Sequence, residues 1–465
     1  MSRHQSPEAK RFEGYLERLS FAVSHADRRE PLRAYLSGLL LPGERKSVEP
    51  MAAKWDPLHV RARHQSLHHF VAKAPWSEQA LLRVARDYAL AGFERHAPIA
   101  AWVIDDTGFP KKGSHSVGVA HQYCGVLGKS ANCQVAVTVS LVNALLSVPA
   151  GFRLYLPESW VQDPERRKAA GVPEGVQFQT KGAIALEQID ELLAEEIPLA
   201  PVVADAGYGA STKFREALTK RGLCYAVGIL PDTNLWPLGI EPLTPPMGCG
   251  RPPVPSRQGT QRQQPVLARE LALSLQPKTW QTVCWREGTK GMMRSRFAAV
   301  RVRAAHRGCR GIRQPEWLLV EWPFDEKEPS RYWLSTLPEE VTLEELVRLA
   351  KIRWRIERDF QELKDELGLD HYEGRGWRGF HHHGALCIAA YAFLVAERAR
   401  LSPPAPVAFL VPARLPQDFQ PRGSQASRAP QPGFDSHHEM ASGTHPSNRP
   451  ASLPLVRARR GRVML

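Results

Sequence analysis

Through the first part of the chain, apolar residues recur with a period near 3.6, the spacing that gives a helix one buried stripe. In "FEGYLERLSFAV" they fall at Phe12, Tyr15, Leu16 and Leu19, and "PLRAYLSGLL" and "SEQALLRVARDYAL" repeat the pattern. Ser77, just before Glu78 and Gln79, offers a hydroxyl that can accept from an orphaned backbone N–H, as a helix N-cap does. Residues 1–95 are therefore expected to be a helical region. The basic, histidine-bearing stretch "KWDPLHVRARHQSLHHFVAKAPW" within it reads either as the solvated face of a bundle or as a DNA-contacting module.

The pattern changes at "HAPIAAWVIDDTGF". Ile99 to Ile104 is a short apolar run ending in two acids, which predicts a buried strand with a polar tip. "HSVGVAHQYCGV", "ANCQVAVTVSLVN" and "GFRLYLPESW" read as neighbouring strands. The amphipathic "TKGAIALEQIDELLAEEI" comes next, then the strand "LAPVVADAGYGAS", the helix "TKFREALTKRG" and the strand "CYAVGIL". This alternation predicts an α/β sheet over 96–234. From 235 to 330 it stops. Prolines and glycines crowd "PLTPPMGCGRPPVPS", and "TWQTVCWREG", "RFAAVRVRAAH" and "EWLLVEWPF" look like strands of a β-rich insertion. Over 331–400, "RYWLSTLP" returns to the sheet, one long helix covers "TLEELVRLAKIRWRIERDFQELKDELGL", and "HGALCIAAYAFLVAERAR" is a second, buried helix. Residues 401–465 hold 11 prolines and no lysine, and are expected to be a disordered tail with too little apolar surface to offset chain entropy.

Composition narrows the function classes. The 465 residues are 43% hydrophobic, enough for one large or two ordinary domains. The formal net charge of +14 is the electrostatic footprint of a nucleic-acid partner. The seven cysteines include no C-x-x-C pair, which argues against a disulfide scaffold and a zinc finger. No apolar run reaches the roughly 18 residues of a membrane span, and "MSRHQSPEAKRFEGYLERL" lacks the apolar stretch of a signal peptide. The expected location is cytoplasmic, with nucleoid association when bound to DNA.

Three acids stand out by position. Asp105 or Asp106 ends the first strand, Asp205 ends a later one before Gly207 and Gly209, and Glu357 lies on the long helix. Acids at strand ends sit where open α/β sheets build their sites, and converging carboxylates suit hard divalent cations. Alone, each is also an ordinary turn or surface acid. On a helix, Arg353, Glu357 and Lys364 fall at about 0°, 40° and 20°, a single narrow face.

"RWRIE" with a lysine seven residues after its glutamate resembles the Tyr-x2-Arg-x3-Glu-x6-Lys signature of bacterial insertion-sequence transposases of the DDE superfamily. "VIDDTGFPKKGSHSVGVAHQYCG" with "NCQVAV" resembles the first-aspartate region of one such group, "VVADAGYG" its second, and "GLDHYEGRGWRGFHHH" the segment beyond the glutamate. The resemblance implies a ribonuclease H-like mixed sheet flanked by helices, interrupted by the β-rich insertion. It implies that Asp205 and Glu357 are metal ligands and that Arg353 and Lys364 contact DNA. The first ligand is Asp105 if the pattern is Asp-x-Thr, and Asp106 if the alignment is ungapped; neighbours on a strand point to opposite faces, so only one can face the metals, and the Asp-x-Thr pattern of the resemblance favours Asp105. Lys111 and Lys112 are expected at phosphate or in an ordinary solvated loop. Ala350 stands where the family often has a tyrosine linked to holding the DNA end.

The implied activity is metal-dependent strand cleavage and strand transfer at inverted-repeat ends, with two Mg²⁺ or Mn²⁺ ions. The implied partners are double-stranded DNA and a second copy in a two-end complex, with no membrane. Alternatives are a ribonuclease H-like nuclease without strand transfer and an inactive DNA-binding remnant. His381, His382 and His383 are expected to be structural or DNA-facing rather than metal ligands. Trp280, Trp285, Trp317 and Trp322 are expected to pack in the insertion, with base stacking as the alternative.

Overall fold

Ser6 accepts a hydrogen bond from the Ala9 N–H and Pro7 fills the first turn of α1 (Pro7–Ala22), which buries Phe12, Tyr15, Leu16 and Leu19. Helices α2 (Arg29–Leu40), α3 (Val48–Trp55), α4 (Val60–Ala72) and α5 (Glu78–Phe93) come after it. Ser77 Oγ caps α5, accepting from the Ala80 N–H at 3.1 Å. The computed structural model describes residues 6–93, 95–239, 264–288, 291–305 and 314–402. The proline- and glycine-rich 242–256 and the tail beyond Ser402 lie outside the described residues.

The next elements are β1 (Ala101–Pro110), β2 (Ala120–Cys124), β3 (Lys129–Val142) and β4 (Ser147–Leu154). Short α6 (Glu158–Val161) and α7 (Pro164–Ala170) lead to α8 (Lys181–Ala194), β5 (Val202–Ala204), α9 (Ala206–Gly209), α10 (Thr212–Lys220) and β6 (Tyr225–Ile229). β3 pairs antiparallel with β1 and with β4, and β5 lies parallel to both β1 and β6. With helices against it, this β4–β3–β1–β5–β6 unit has the ribonuclease H-like arrangement.

β7 (Asn234–Pro237), β8 (Val266–Leu267), α11 (Ala268–Ser274), β9 (Gln281–Gly288), β10 (Gly291–Ala304), β11 (Glu316–Trp322) and β12 (Arg331–Ser335) come next. β12 pairs antiparallel with β6 on one side and β11 on the other, so these strands prolong the same sheet. Among the described residues the order is β2-β3-β1-β5-β6-β12-β11-β10-β7-β8, with β4 on β3 and β9 on β10. Trp280 and Trp322 meet edge to face at 5.2 Å, Trp285 meets Phe297 at 5.5 Å, and Trp317 Nε1 donates to the Pro338 carbonyl at 3.1 Å.

Two cores flank the sheet. Trp102 and Ile104 of β1 join one with the N-terminal helices and α8; Ala101 and Val103, on the alternate face, join the other. The long helix expected over the RWRIE segment is two helices, α12 (Leu343–Lys351) and α13 (Trp354–Asp365). At the joint, the Ile352, Arg355 and Ile356 N–H groups bond three residues back, to the carbonyls of Leu349, Ile352 and Arg353. The break lets α12 bury Leu346, Val347, Leu349 and Ala350 in the second core while α13 sends Phe360 and Leu363 into the first. Last comes α14 (Trp377–Leu401), buried along most of its length against α5. Among the described residues no helix is long and apolar enough to cross a membrane.

Candidate active site

The strand holding the first acids is longer than its apolar run. β1 continues to Pro110 because β3 pairs with it as far as Pro110↔Cys133, so Asp105 and Asp106 lie within the strand, not at its tip. Its parallel pairing with β5 stops at Val103↔Val203, however, and Asp205 directly follows β5. Both positions thus lie just past the end of the parallel pairing, where the sheet opens.

Asp205 is the N-cap of α9, its Oδ1 accepting from the Gly207 N–H at 2.9 Å. The turn lies tight on β6: a Cβ on Gly209 would collide with the Gly228 carbonyl oxygen, and one on Gly228 would sit 2.7 Å from the Ala206 nitrogen. Glycine at both positions lets the two backbones approach, which fixes where Asp205 points.

Asp105 and Asp205 share one cation. Arg353, at the start of α13, places Nη2 2.9 Å from Asp105 Oδ2 and 3.9 Å from Asp205 Oδ2. Glu357, an exposed residue one turn along, adds its field to the same guanidinium. Burial opposes the Arg353 charge, but Asp105, Asp205 and Glu357 outweigh it and its pKa is raised. Burial also raises the Asp105 pKa; Arg353 pulls it back, and the Asp205 charge pushes it up.

Asp106 takes the opposite face. Its Oδ2 accepts from Lys181 Nζ of α8 at 2.6 Å and its Oδ1 accepts from the Tyr208 hydroxyl of α9. The structure therefore brings Asp105, Asp205 and Glu357 toward Arg353 and leaves Asp106 outside that group. Nothing in the sequence singles out Lys181 or Tyr208. Their pairing with Asp106 joins residues 75 and 102 positions apart, which no local pattern records.

The cations divide as well. Lys364 Nζ donates to the Gly108 carbonyl at 2.9 Å, above the Phe109 ring. Lys111 Nζ donates to the Tyr372 carbonyl at 3.1 Å, and burial lowers both lysine pKa values. Lys112 is exposed. The histidine run is buried and holds main-chain groups: His381 accepts from the Leu154 N–H, His382 faces the Val71 and Trp76 carbonyls, and His383 bridges the Gly368 carbonyl and the Tyr35 hydroxyl.

The donor set around Arg353 is all carboxylate oxygen, the chemistry hard divalent cations prefer. As placed, no three His, Cys, Asp or Glu side chains among the described residues are close enough to hold an ion. Asp105 and Asp205 instead converge on the guanidinium that bridges them. Asp105 and Asp205 fit such an ion by the chemistry of their oxygens, with Arg353 in the place a cation would take.

Comparison with known proteins bears on the family. Residues 18–292 match the family model described as DDE superfamily endonuclease, a group that generally uses divalent metals. That span includes Asp105, Asp106 and Asp205 and stops before Glu357. A protein of Microchaete diplosiphon described as a probable transposase for insertion sequence element IS701 is 37% identical over 166 residues. The match covers 36% of this chain and 40% of that relative. With the family match running over more than half its length, the chain belongs to the DDE superfamily of endonucleases.

Proposed function

We propose that this chain is an insertion-sequence transposase that binds the inverted-repeat ends of its element and cuts and joins DNA at a centre made by Asp105, Asp205 and Glu357. The observation that carries this reading is the convergence of Asp105 and Asp205, from separate strands, on Arg353 of the glutamate-bearing helix. Unlike Lys111 and Lys364, whose ammonium groups bond carbonyls, Arg353 is held by the carboxylates themselves. An anionic phosphate presented to this site would meet Arg353 as the nearest guanidinium and compete with the aspartates for it. Lys364, which bonds the Gly108 carbonyl three residues beyond Asp105, and Lys111 and Lys112 would hold the DNA backbone beside the cut.

Two divalent cations, Mg²⁺ or Mn²⁺, bound by Asp105, Asp205 and Glu357 would supply activation of the attacking water or 3′-hydroxyl and stabilisation of the leaving oxygen. The protein's part is to hold the scissile phosphate against those acids and present the freed 3′-hydroxyl to target DNA at the same centre. Two ends joined in one complex call for two copies of the chain.

The test is Glu357→Gln, which keeps shape and removes charge. DNA cleavage with Mg²⁺ is expected to fall about a thousandfold or more while end binding persists. Cleavage near the wild-type rate would remove Glu357 from the centre. Strand-transfer products from a donor carrying the native ends are expected from the wild type; cleavage without them would reduce the reading to a nuclease.

A further inference from the structure

The turn joining β2 to β3 is built against expectation for a solvent-facing hairpin. Such tips usually carry polar and turn-forming side chains. Here Tyr123, Val126 and Leu127 are 62%, 59% and 44% exposed, three large apolar side chains within five residues. Single exposed apolar residues are common, but a cluster at a protruding turn marks an interaction site. The turn itself is fixed: Gly125–Leu127 form one 3₁₀ turn closed by Gly128 at φ +62°, and Cys124 is buried with Cys133 and Val135.

The turn packs against β1, the strand that carries Asp105 and Asp106. A Cβ on Gly108 would meet Cys124 Sγ at 2.8 Å, so the hairpin sits directly on β1 three residues past Asp105. The carbonyl of that same Gly108 accepts from Lys364, on the helix that bears Glu357. The charge of the segment is one-sided. Between Asp106 and Glu158 the chain has no aspartate or glutamate; of its cations there, Arg153 pairs with Glu187 and Glu191 and Lys111 bonds the Tyr372 carbonyl, while Lys112 and Lys129 are exposed. Lys129 is exposed at the foot of the turn, two residues from Leu127. An apolar tip with an exposed lysine at its foot, on a segment without acids, matches a polyanion whose bases offer flat apolar faces.

We propose that the Tyr123–Val126–Leu127 tip packs against unstacked bases of the DNA held at the active site, with Lys129 on the adjoining phosphate. This rests on the DNA-cutting reading above. The contact is to base faces and so is independent of sequence; its effect is to favour DNA whose strands are already parted beside the cut.

The test uses the full chain and two probes of arbitrary sequence, a blunt duplex and a forked duplex with 2-aminopurine at the fork. The wild type is expected to bind the fork about tenfold tighter than the duplex and to quench the 2-aminopurine. The combined Tyr123→Ser, Val126→Ser and Leu127→Ser variant should keep its melting temperature, bind the blunt duplex within about twofold of wild type, and lose both fork preference and quenching. Lys129→Gln should weaken both probes and reduce the salt slope by about one. Fork preference and quenching retained by the triple variant would overturn the proposal and leave the DNA-cutting reading intact. Self-association lost in the triple variant, with fork binding unchanged, would assign the tip to a second copy of the chain and likewise overturn it. Wild-type protein binding neither probe would overturn both together.

Discussion

Asp105 and Asp106 share a peptide bond, yet strand alternation sends their carboxylates to opposite faces of β1. On one face Asp105 meets a guanidinium that Asp205 also approaches and that Glu357 influences from one turn along, so three acids act on one cation. On the other, Asp106 has a lysine of its own and a tyrosine hydroxyl. The Asp106 cluster is locally balanced: one negative charge, one positive charge and one neutral donor joining β1 to α8 and α9. The Asp105 cluster has negative charge in excess. Excess carboxylate that persists beside a single arginine is what a site keeps when further positive charge is to arrive.

The largest expected effect separates these neighbours. Asp105→Asn should reduce metal-dependent DNA cleavage by about a thousandfold or more and leave DNA binding in place. Asp106→Asn should keep the Tyr208 hydrogen bond, lose the Lys181 ion pair, and cost about 1 kcal/mol of stability with cleavage still measurable. Thermal melts and cleavage of end-bearing DNA would read both. Cleavage abolished by the Asp106 change and spared by the Asp105 change would exchange the two roles.

Arg353 sharpens the same contrast with a smaller effect. Its guanidinium stands where a divalent ion would meet Asp105 and Asp205, so Arg353→Gln should tighten Mn²⁺ binding to the DNA-free protein severalfold, as read by titration calorimetry. The same change should lower DNA cleavage about a hundredfold, since a phosphate contact goes with it. Unchanged Mn²⁺ affinity would mean that Arg353 does not compete for the acids.

How much of the molecule was legible in the sequence depends on the range of each interaction. The helical periodicity of Phe12 to Leu19 and the apolar run before Asp105 are local, and the elements formed where those patterns lie. The length of β1 was not legible, because residues beyond Asp106 are held in the strand by pairing with β3. The break at Ile352 and Arg353 was hidden for a related reason: the local pattern favours one helix, and the two cores on opposite sides of the sheet divide it. That the insertion's strands prolong the main sheet depends on β12 pairing with β6 from far along the chain. Asp105, Asp106 and Asp205 were visible as acids following apolar runs, and Glu357 by the helical face it shares with Arg353 and Lys364; which of Asp105 and Asp106 faces Asp205 depends on strand orientation relative to α13. Tyr123 and Val126 lie in a stretch that reads as strand, and only the fold shows them with Leu127 exposed at a turn.

The smallest expected effect on DNA cutting comes from a buried titratable group with no counter-charge. His383 lies inside α14, where its Nε2 donates to the Gly368 carbonyl at 2.9 Å and its Nδ1 accepts from the Tyr35 hydroxyl at 2.9 Å. Both partners suit the neutral ring. Burial lowers its pKa to about 4 from 6.5, against the pull of the Gly368 carbonyl, and Lys111 lowers it further. The unfolded chain therefore takes up this proton near pH 6.5, and the folded protein only near 4. Above pH 6.5 the ring is neutral in both states and contributes no pH dependence; as pH falls from 6.5 toward 4, stability is lost. By pH 5 the loss from this one residue is about 2 kcal/mol. His383→Gln forfeits hydrogen-bond geometry and should be less stable at pH 7.5, yet its unfolding free energy should fall less steeply between pH 7.5 and pH 5 than that of the wild type. Denaturant titrations at the two pH values give both slopes. Parallel slopes would show that His383 takes up its proton in the folded state near its ordinary pKa, which would contradict a neutral ring held by Tyr35 and Gly368.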